Sequence, residues 1–260
     1  MSEASFRTAP VAPMLVAQTR ANFLELWRVP AFSIVSIALP VIFFAFFALP
    51  NLKGHLDGVP AGAYFLVSYG AYGTMSVMLF SFGMRVAVER GQGTTVLLRA
   101  TPLRPAVFMA ARVLTAVAFS LCTLLVLFAF GILVGKVALP APEWGNMVWR
   151  LLLGSIPFVA MGMAVGYVSG PNSAPAIINL IFLPMSFASG IFVPIQYLPS
   201  WIQQVAPYLP TYRYAQFAWS SVGVHTDPVG TILAWLGGWT LVFFLIAMRG
   251  YRQEEQRRFG

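Results

Sequence analysis

AGAYFLVSYGAYGTMSVMLFSFGM, residues 61–84, contains no charged side chain. About 20 consecutive apolar residues suffice for a helix to cross the hydrocarbon core of a bilayer, so this run reads as a membrane span. Its surroundings support that reading. The chain of 260 residues is 58% hydrophobic and 9% charged, whereas a soluble domain is about 25% charged. Mean hydropathy is +0.77. No soluble fold of this length could hide so much apolar surface.

Five further uncharged runs of similar length lie on either side: Ala31–Leu49, Val113–Gly135, Leu151–Ser169, Pro175–Pro194 and Thr231–Met248. Pro40, Pro157 and Pro184 fall within runs and read as kinks, which membrane helices tolerate where neighbours satisfy the freed carbonyls. The expected fold is an all-α integral membrane protein with six transmembrane helices, forming one transmembrane domain over residues 1–260. The residues before Pro13 lack the short apolar core and cleavage site of a signal peptide, so the first span is expected to insert and stay.

Lys and Arg set the orientation. With the N-terminus inside, the inner side holds Arg7, Arg20, Arg28, Arg85, Arg90, Arg99, Arg104, Arg112, Arg249, Arg252, Arg257 and Arg258, against Lys53, Lys136, Arg150 and Arg213 outside. That bias places both termini in the cytoplasm. It also accounts for the net charge of +8 without nucleic acid, for which no basic groove pattern exists.

Three segments between or before the spans have a character of their own. Residues 14–28 are amphipathic, with Val16, Phe23, Leu24 and Trp27 assigned to one helical face and Gln18, Asn22 and Glu25 to the other. This predicts an interfacial helix before the first span. Residues 85–104 form the cytoplasmic link between spans two and three. Gly91 and Gly93 are expected to loosen the chain after Glu89-Arg90, Thr94–Ala100 to form a short helix, and Pro102 to stop it. Residues 195–230 are rich in Tyr, Trp and Pro and predict short outer helices between spans five and six. Gly162, Gly166 and Gly170 recur every four residues on span four, as Gly131 and Gly135 do on span three, a spacing that lets helix backbones approach.

No catalytic arrangement is legible. Cys122 is the one cysteine and His55 and His225 lack ligand spacing, so no metal site is expected. HExxH and GxSxG are absent. Gly91-Gln92-Gly93-Thr94-Thr95 lacks the lysine of a phosphate-binding loop, so no cofactor is expected on this chain and it is not read as an enzyme. No acidic or basic residue lies deep in a run, which disfavours an ion-coupled carrier. Asn179 is the one deep amide, read first as an interhelical hydrogen-bond partner and second as a group contacting cargo.

Three stretches carry a resemblance. Glu89-Arg90, Gly93-Thr94, Leu97-Leu98 and Thr101-Pro102-Leu103 follow in order; Ser189-Gly190-Ile191-Phe192-Val193-Pro194 precedes Leu198-Pro199 and Trp201; Pro207, Pro210, Thr211 and Tyr214 come next. In this order and topology the chain resembles the membrane (permease) subunits of ABC exporters of the second, six-helix type. The resemblance covers nearly the whole chain and departs at Gln92, between two glycines. It implies a separate ABC ATPase subunit carrying ATP and magnesium, a second copy of this chain or a related permease, and a bacterial inner-membrane location in contact with membrane lipid.

Within that resemblance, Thr94–Ala100 would be a coupling helix, and the ATPase-coupling residues would be Glu89, Arg90, Gly93, Thr94, Leu97, Leu98, Thr101 and Pro102. Glu89 and Arg90 would pair across the interface or cap the helix. Phe23, Leu24 and Trp27 would belong to a connecting helix. Spans one, two and five would line a path for an amphipathic or hydrophobic, drug- or lipid-like cargo, with Phe43, Phe47 and Asn179 as candidates. Export of a lipid-linked polysaccharide and a non-transport role as a sensor or assembly partner are the alternatives.

Overall fold

The computed structural model describes residues 10–93 and 105–259. The fold is all-α, with almost no sheet. Helix α1 (Val11–Trp27) precedes α2 (Pro30–Phe43), which runs on through a wider π turn (Phe44–Ala48) and a 3-10 turn (Leu49–Asn51). A small hairpin of β1 (His55–Leu56) and β2 (Val59–Pro60) pairs His55 with Pro60 and Leu56 with Val59. Asp57 and Gly58 both have positive φ there, as a two-residue hairpin turn requires. The remaining helices are α3 (Ala61–Gln92), α4 (Pro105–Leu133), α5 (Ala141–Gly154), α6 (Ile156–Val168), α7 (Ala174–Ala188), α8 (Ser200–Val205), α9 (Pro210–Trp219) and α10 (Val229–Phe259).

Among the described residues, five segments are long and apolar enough to cross a membrane: Phe32–Asn51, Ala61–Gln92, Ala106–Leu133, Ala141–Val168 and Val229–Glu254. The fifth expected run, Pro175–Pro194, is shorter as a helix. α7 has 15 residues, rising about 22 Å. It ends at Ala188 with Ser189 as its C-cap, and Gly190 follows with φ +81°. The run at Pro157 is interrupted rather than kinked: α5 ends at Gly154 and α6 starts at Ile156, with Pro157 in its first turn, where the missing N–H costs nothing. At Pro40 the helix does continue, and the proline ring reaches to 2.9 Å from where a Cβ on Gly73 would stand.

α3 is the hub. Almost all of its apolar length is buried, with α2, α4, α6, α7 and α9 packed around it. Against α6 the contact is backbone to backbone: a Cβ on Gly162 would lie 2.6 Å from the Leu79 carbonyl, and one on Gly166 2.8 Å from that of Gly83. Such glycine faces replace the hydrophobic drive that lipid cannot supply. Gly170, expected on the same face, lies beyond the end of α6; its N–H bonds Ser173 Oγ at 3.0 Å and a Cβ there would meet that oxygen alone, at 3.6 Å. Gly131 packs on Leu66, and Gly135 on Phe44.

α10 is peripheral and rests chiefly on α6 and α9, with Gly250 against Tyr167. The segment after α7 divides as its prolines dictate, Pro199 preceding α8 and Pro210 opening α9. α8 leaves Trp201 exposed. α9 is wedged inside: Tyr214 donates to the Leu151 carbonyl at 2.8 Å, Trp219 Nε1 to Ser68 Oγ at 2.8 Å, and Thr211 to the Met185 carbonyl at 3.0 Å. Burial raises the Tyr214 phenol above its ordinary pKa, and burial followed by the neighbouring Asp227 does the same to Tyr212.

Candidate functional site at the charged end of the bundle

The C-terminal end of α3 carries Arg85, Glu89 and Arg90, and ion pairs of the three side chains join it to three other helices. Arg85 pairs with Glu25 of α1. Glu89 pairs with Arg112 of α4. Arg90 pairs with Glu254 of α10. The chain has eight acidic residues in all, and three of them, contributed by three different helices, serve this end.

The pairs differ in weight. Glu25 is largely exposed, and a solvent-facing pair contributes little. Arg112 is 6% exposed, with its guanidinium 4.3 Å from the Phe108 ring centroid. Removing one partner of such a buried pair costs about 3–5 kcal/mol. Arg90 does more than pair. Its guanidinium also donates to the carbonyls of Gly166, Tyr167 and Ser169, at 2.7, 2.5 and 3.2 Å. These lie at the C-terminal end of α6, where backbone carbonyls lack helical partners and a cation is favoured. Arg90 therefore caps α6 while holding α10.

Glu89 and Arg90, expected to face a partner interface or to cap the coupling helix, are thus engaged within their own chain. Gly91 also behaves otherwise than expected. α3 continues to Gln92, with Gly91 inside it, where a Cβ would stand 2.5 Å from Pro171 Cγ. Gly93 ends the helix in the left-handed conformation at φ +70°, the usual glycine C-cap. Thr94, Leu97, Leu98, Thr101 and Pro102, and with them the expected helix Thr94–Ala100, lie outside the described residues. The link they belong to leaves α3 within three residues of Arg90 and enters α4 seven residues before Arg112.

α1 lies along α4 close to the same end. Phe23 sits on Phe119 with ring centroids 4.9 Å apart, and Trp27 is 6.0 Å from the same ring. The buried residues of α1 are Asn22 and Leu26, whereas Leu24 and Trp27 remain substantially exposed. Asn22, assigned by sequence to the polar outer face, accepts a hydrogen bond from Gln18 at 3.2 Å and faces inward because α1 packs against a neighbouring helix rather than lying free.

The path candidates separate. Phe43 is packed into an aromatic cluster, 4.9 Å from Phe192 and 5.3 Å from Tyr72. Phe47 is largely exposed. Asn179 is exposed on α7, and among the described residues its side chain has no hydrogen-bond partner. Of the three spans expected to line a path, α3 is enclosed by its own chain, while α2 and α7 present apolar faces through Ile34, Ile42 and Phe46 and through Leu180, Leu183 and Phe187.

Sequence reasoning missed Arg85, Arg112, Glu25 and Glu254 as members of this site. Arg112 offered one signal: an arginine next to a long apolar run requires an acid, and few acids are available.

The comparisons with known proteins agree with this architecture. The family model for the ABC-2 family transporter protein matches residues 57–249, from the hairpin before α3 to Arg249 in α10. The protein named "Putative transport permease YvfS" of Bacillus subtilis (strain 168) is 25% identical over 242 residues, covering 93% of this chain and 98% of the relative. On the match of the family model to most of its length, this chain belongs to the ABC-2 transporter family and is a multi-pass transmembrane subunit of an ABC transporter.

Proposed function

We propose that this subunit forms half of an ATP-driven export path in the bacterial inner membrane, with both termini in the cytoplasm, and takes its energy from a separate ABC ATPase docked on residues 94–104 and α1. The observation that carries the reading is the charged end itself. Arg85, Glu89 and Arg90 tie the end of α3, where the link to α4 departs, to α1, α4, α6 and α10. A push on the link by a closing ATPase pair, each with ATP and magnesium, is delivered to four helices at once instead of to a loose turn.

α7 completes a sixth span in this reading, extended by the buried Ile191 and Phe192. A second copy, or a related permease, meets the exposed faces of α2 and α7. Asn179 and Phe47 then stand where two copies and an amphipathic or hydrophobic cargo come together, and the exposed Asn179 amide is free there to meet a group of either. Transport follows only if the cargo interacts differently with the inward-open and outward-open states.

The test is co-expression with a cognate ABC ATPase followed by affinity capture of the permease in detergent. Wild type retains the ATPase, and the double variant Leu97→Asp, Leu98→Asp loses it while remaining monodisperse. An ATPase retained equally by both would remove the link from the docking role.

A further inference from the structure

α6, α7 and α10 enclose an apolar groove with a volume of about 360 Å³. Val168 on α6, Ile181 and Met185 on α7, and Phe243 and Ile246 on α10 line it, and Pro210 at the start of α9 closes one end. Water cannot fill it stably, since a held water needs two to four polar partners. A charged or polar moiety would enter at a desolvation cost with nothing to pair with. α6 and α10 belong to segments long and apolar enough to cross a membrane and α7 is a shorter apolar helix, so the fitting occupant is hydrocarbon. The opposite end of the groove lies toward Val168, Ser169 and Ile246, the end of the bundle that carries Arg90 and the C-terminus of α10. There Arg249 is exposed, three residues beyond Ile246 and so its neighbour along the helix surface, with Arg252, also exposed, following.

An alkyl-shaped apolar slot ending beside exposed cations has the charge pattern of one kind of molecule. We infer that the groove is a binding site for an anionic phospholipid of the bilayer, one acyl chain lying between α7 and α10 and the phosphate-bearing headgroup meeting Arg249. The site is separate from the ATPase link and from the α2 and α7 face assigned to a second copy, so it stands or falls independently of the export reading.

The experiment is native mass spectrometry of the full chain purified in detergent and titrated with dioleoyl phosphatidylglycerol or with dioleoyl phosphatidylcholine. Wild type is expected to retain phosphatidylglycerol in preference to phosphatidylcholine. Ile181→Trp and Val168→Trp fill the slot from its rim and are each expected to lower retained phosphatidylglycerol about fivefold. Val168 is 72% exposed, so that variant keeps the test alive if Ile181→Trp fails to fold. Arg249→Gln is expected to abolish the preference for phosphatidylglycerol over phosphatidylcholine. Equal retention of both lipids by wild type overturns the proposal. So does undiminished phosphatidylglycerol on folded Val168→Trp, or a loss of dimer in that variant with lipid unchanged, which would give the groove to a second copy of the chain.

Discussion

The two ends of the bundle are held together by different means. At the end bearing Arg90, ion pairs join residues far apart in sequence, Glu25 to Arg85, Glu89 to Arg112 and Arg90 to Glu254. At the other end the main ion pair is local: Arg213 at the start of α9 pairs with Asp227 just beyond it and donates to the Pro207 carbonyl at 2.7 Å. That end is otherwise fixed by aromatic packing, with Tyr64 and Trp219 stacked at 5.0 Å, and by uncharged hydrogen bonds such as those of Tyr214 and Trp219. A local pair stiffens one segment. Pairs that bridge helices make their movements common, and in this molecule they occur where the link between α3 and α4 leaves the bundle.

The contrast can be broken by substitution. Arg90→Ala removes an interhelix ion pair and three carbonyl bonds together, and is expected to cost about 3–5 kcal/mol, read as a large fall in apparent Tm in detergent. Arg213→Ala removes a pair whose acid is about half exposed, and about 1–3 kcal/mol is expected for the carbonyl and carboxylate bonds lost. Equal losses at the two sites would erase the distinction. The smallest effect is at Gly170, where a Cβ meets only Ser173 Oγ; Gly170→Ala should stay within about 0.5 kcal/mol. Gly166→Ala places its methyl 2.7 Å from Val86 Cβ and should be visibly worse by the same thermal readout.

Most of the membrane architecture was legible because hydropathy reports the solvent. Ala61 was identified as the start of a span from the apolar run alone. The ends were harder to read, since a charge stops an apolar run without stopping a helix. α3 continues eight residues past Met84 because Arg85, Glu89 and Arg90 all have partners, and α4 begins eight residues before Val113 with Arg112 buried inside it. α7 stops short of Pro194 because Gly190 turns the chain, a backbone choice that apolar composition conceals. In the site, Glu89 and Arg90 stood out by their motif, but their partners come from helices up to 164 residues away, and no local pattern records such a pairing. Asn22 was misplaced because whether an amide faces in or out depends on which neighbour covers its helix.

The central claim is that the charged end carries motion from the link into the helices, and the Glu89–Arg112 pair tests it most directly. The measurement is ATPase activity of the reconstituted transporter, with and without the permease, for Glu89→Arg, Arg112→Glu and the doubly exchanged protein. The account predicts that each single reversal loses permease-dependent stimulation and that the exchanged pair regains much of it, with the ATPase still bound throughout. A double variant no better than the singles, or single variants stimulated like wild type, would contradict it.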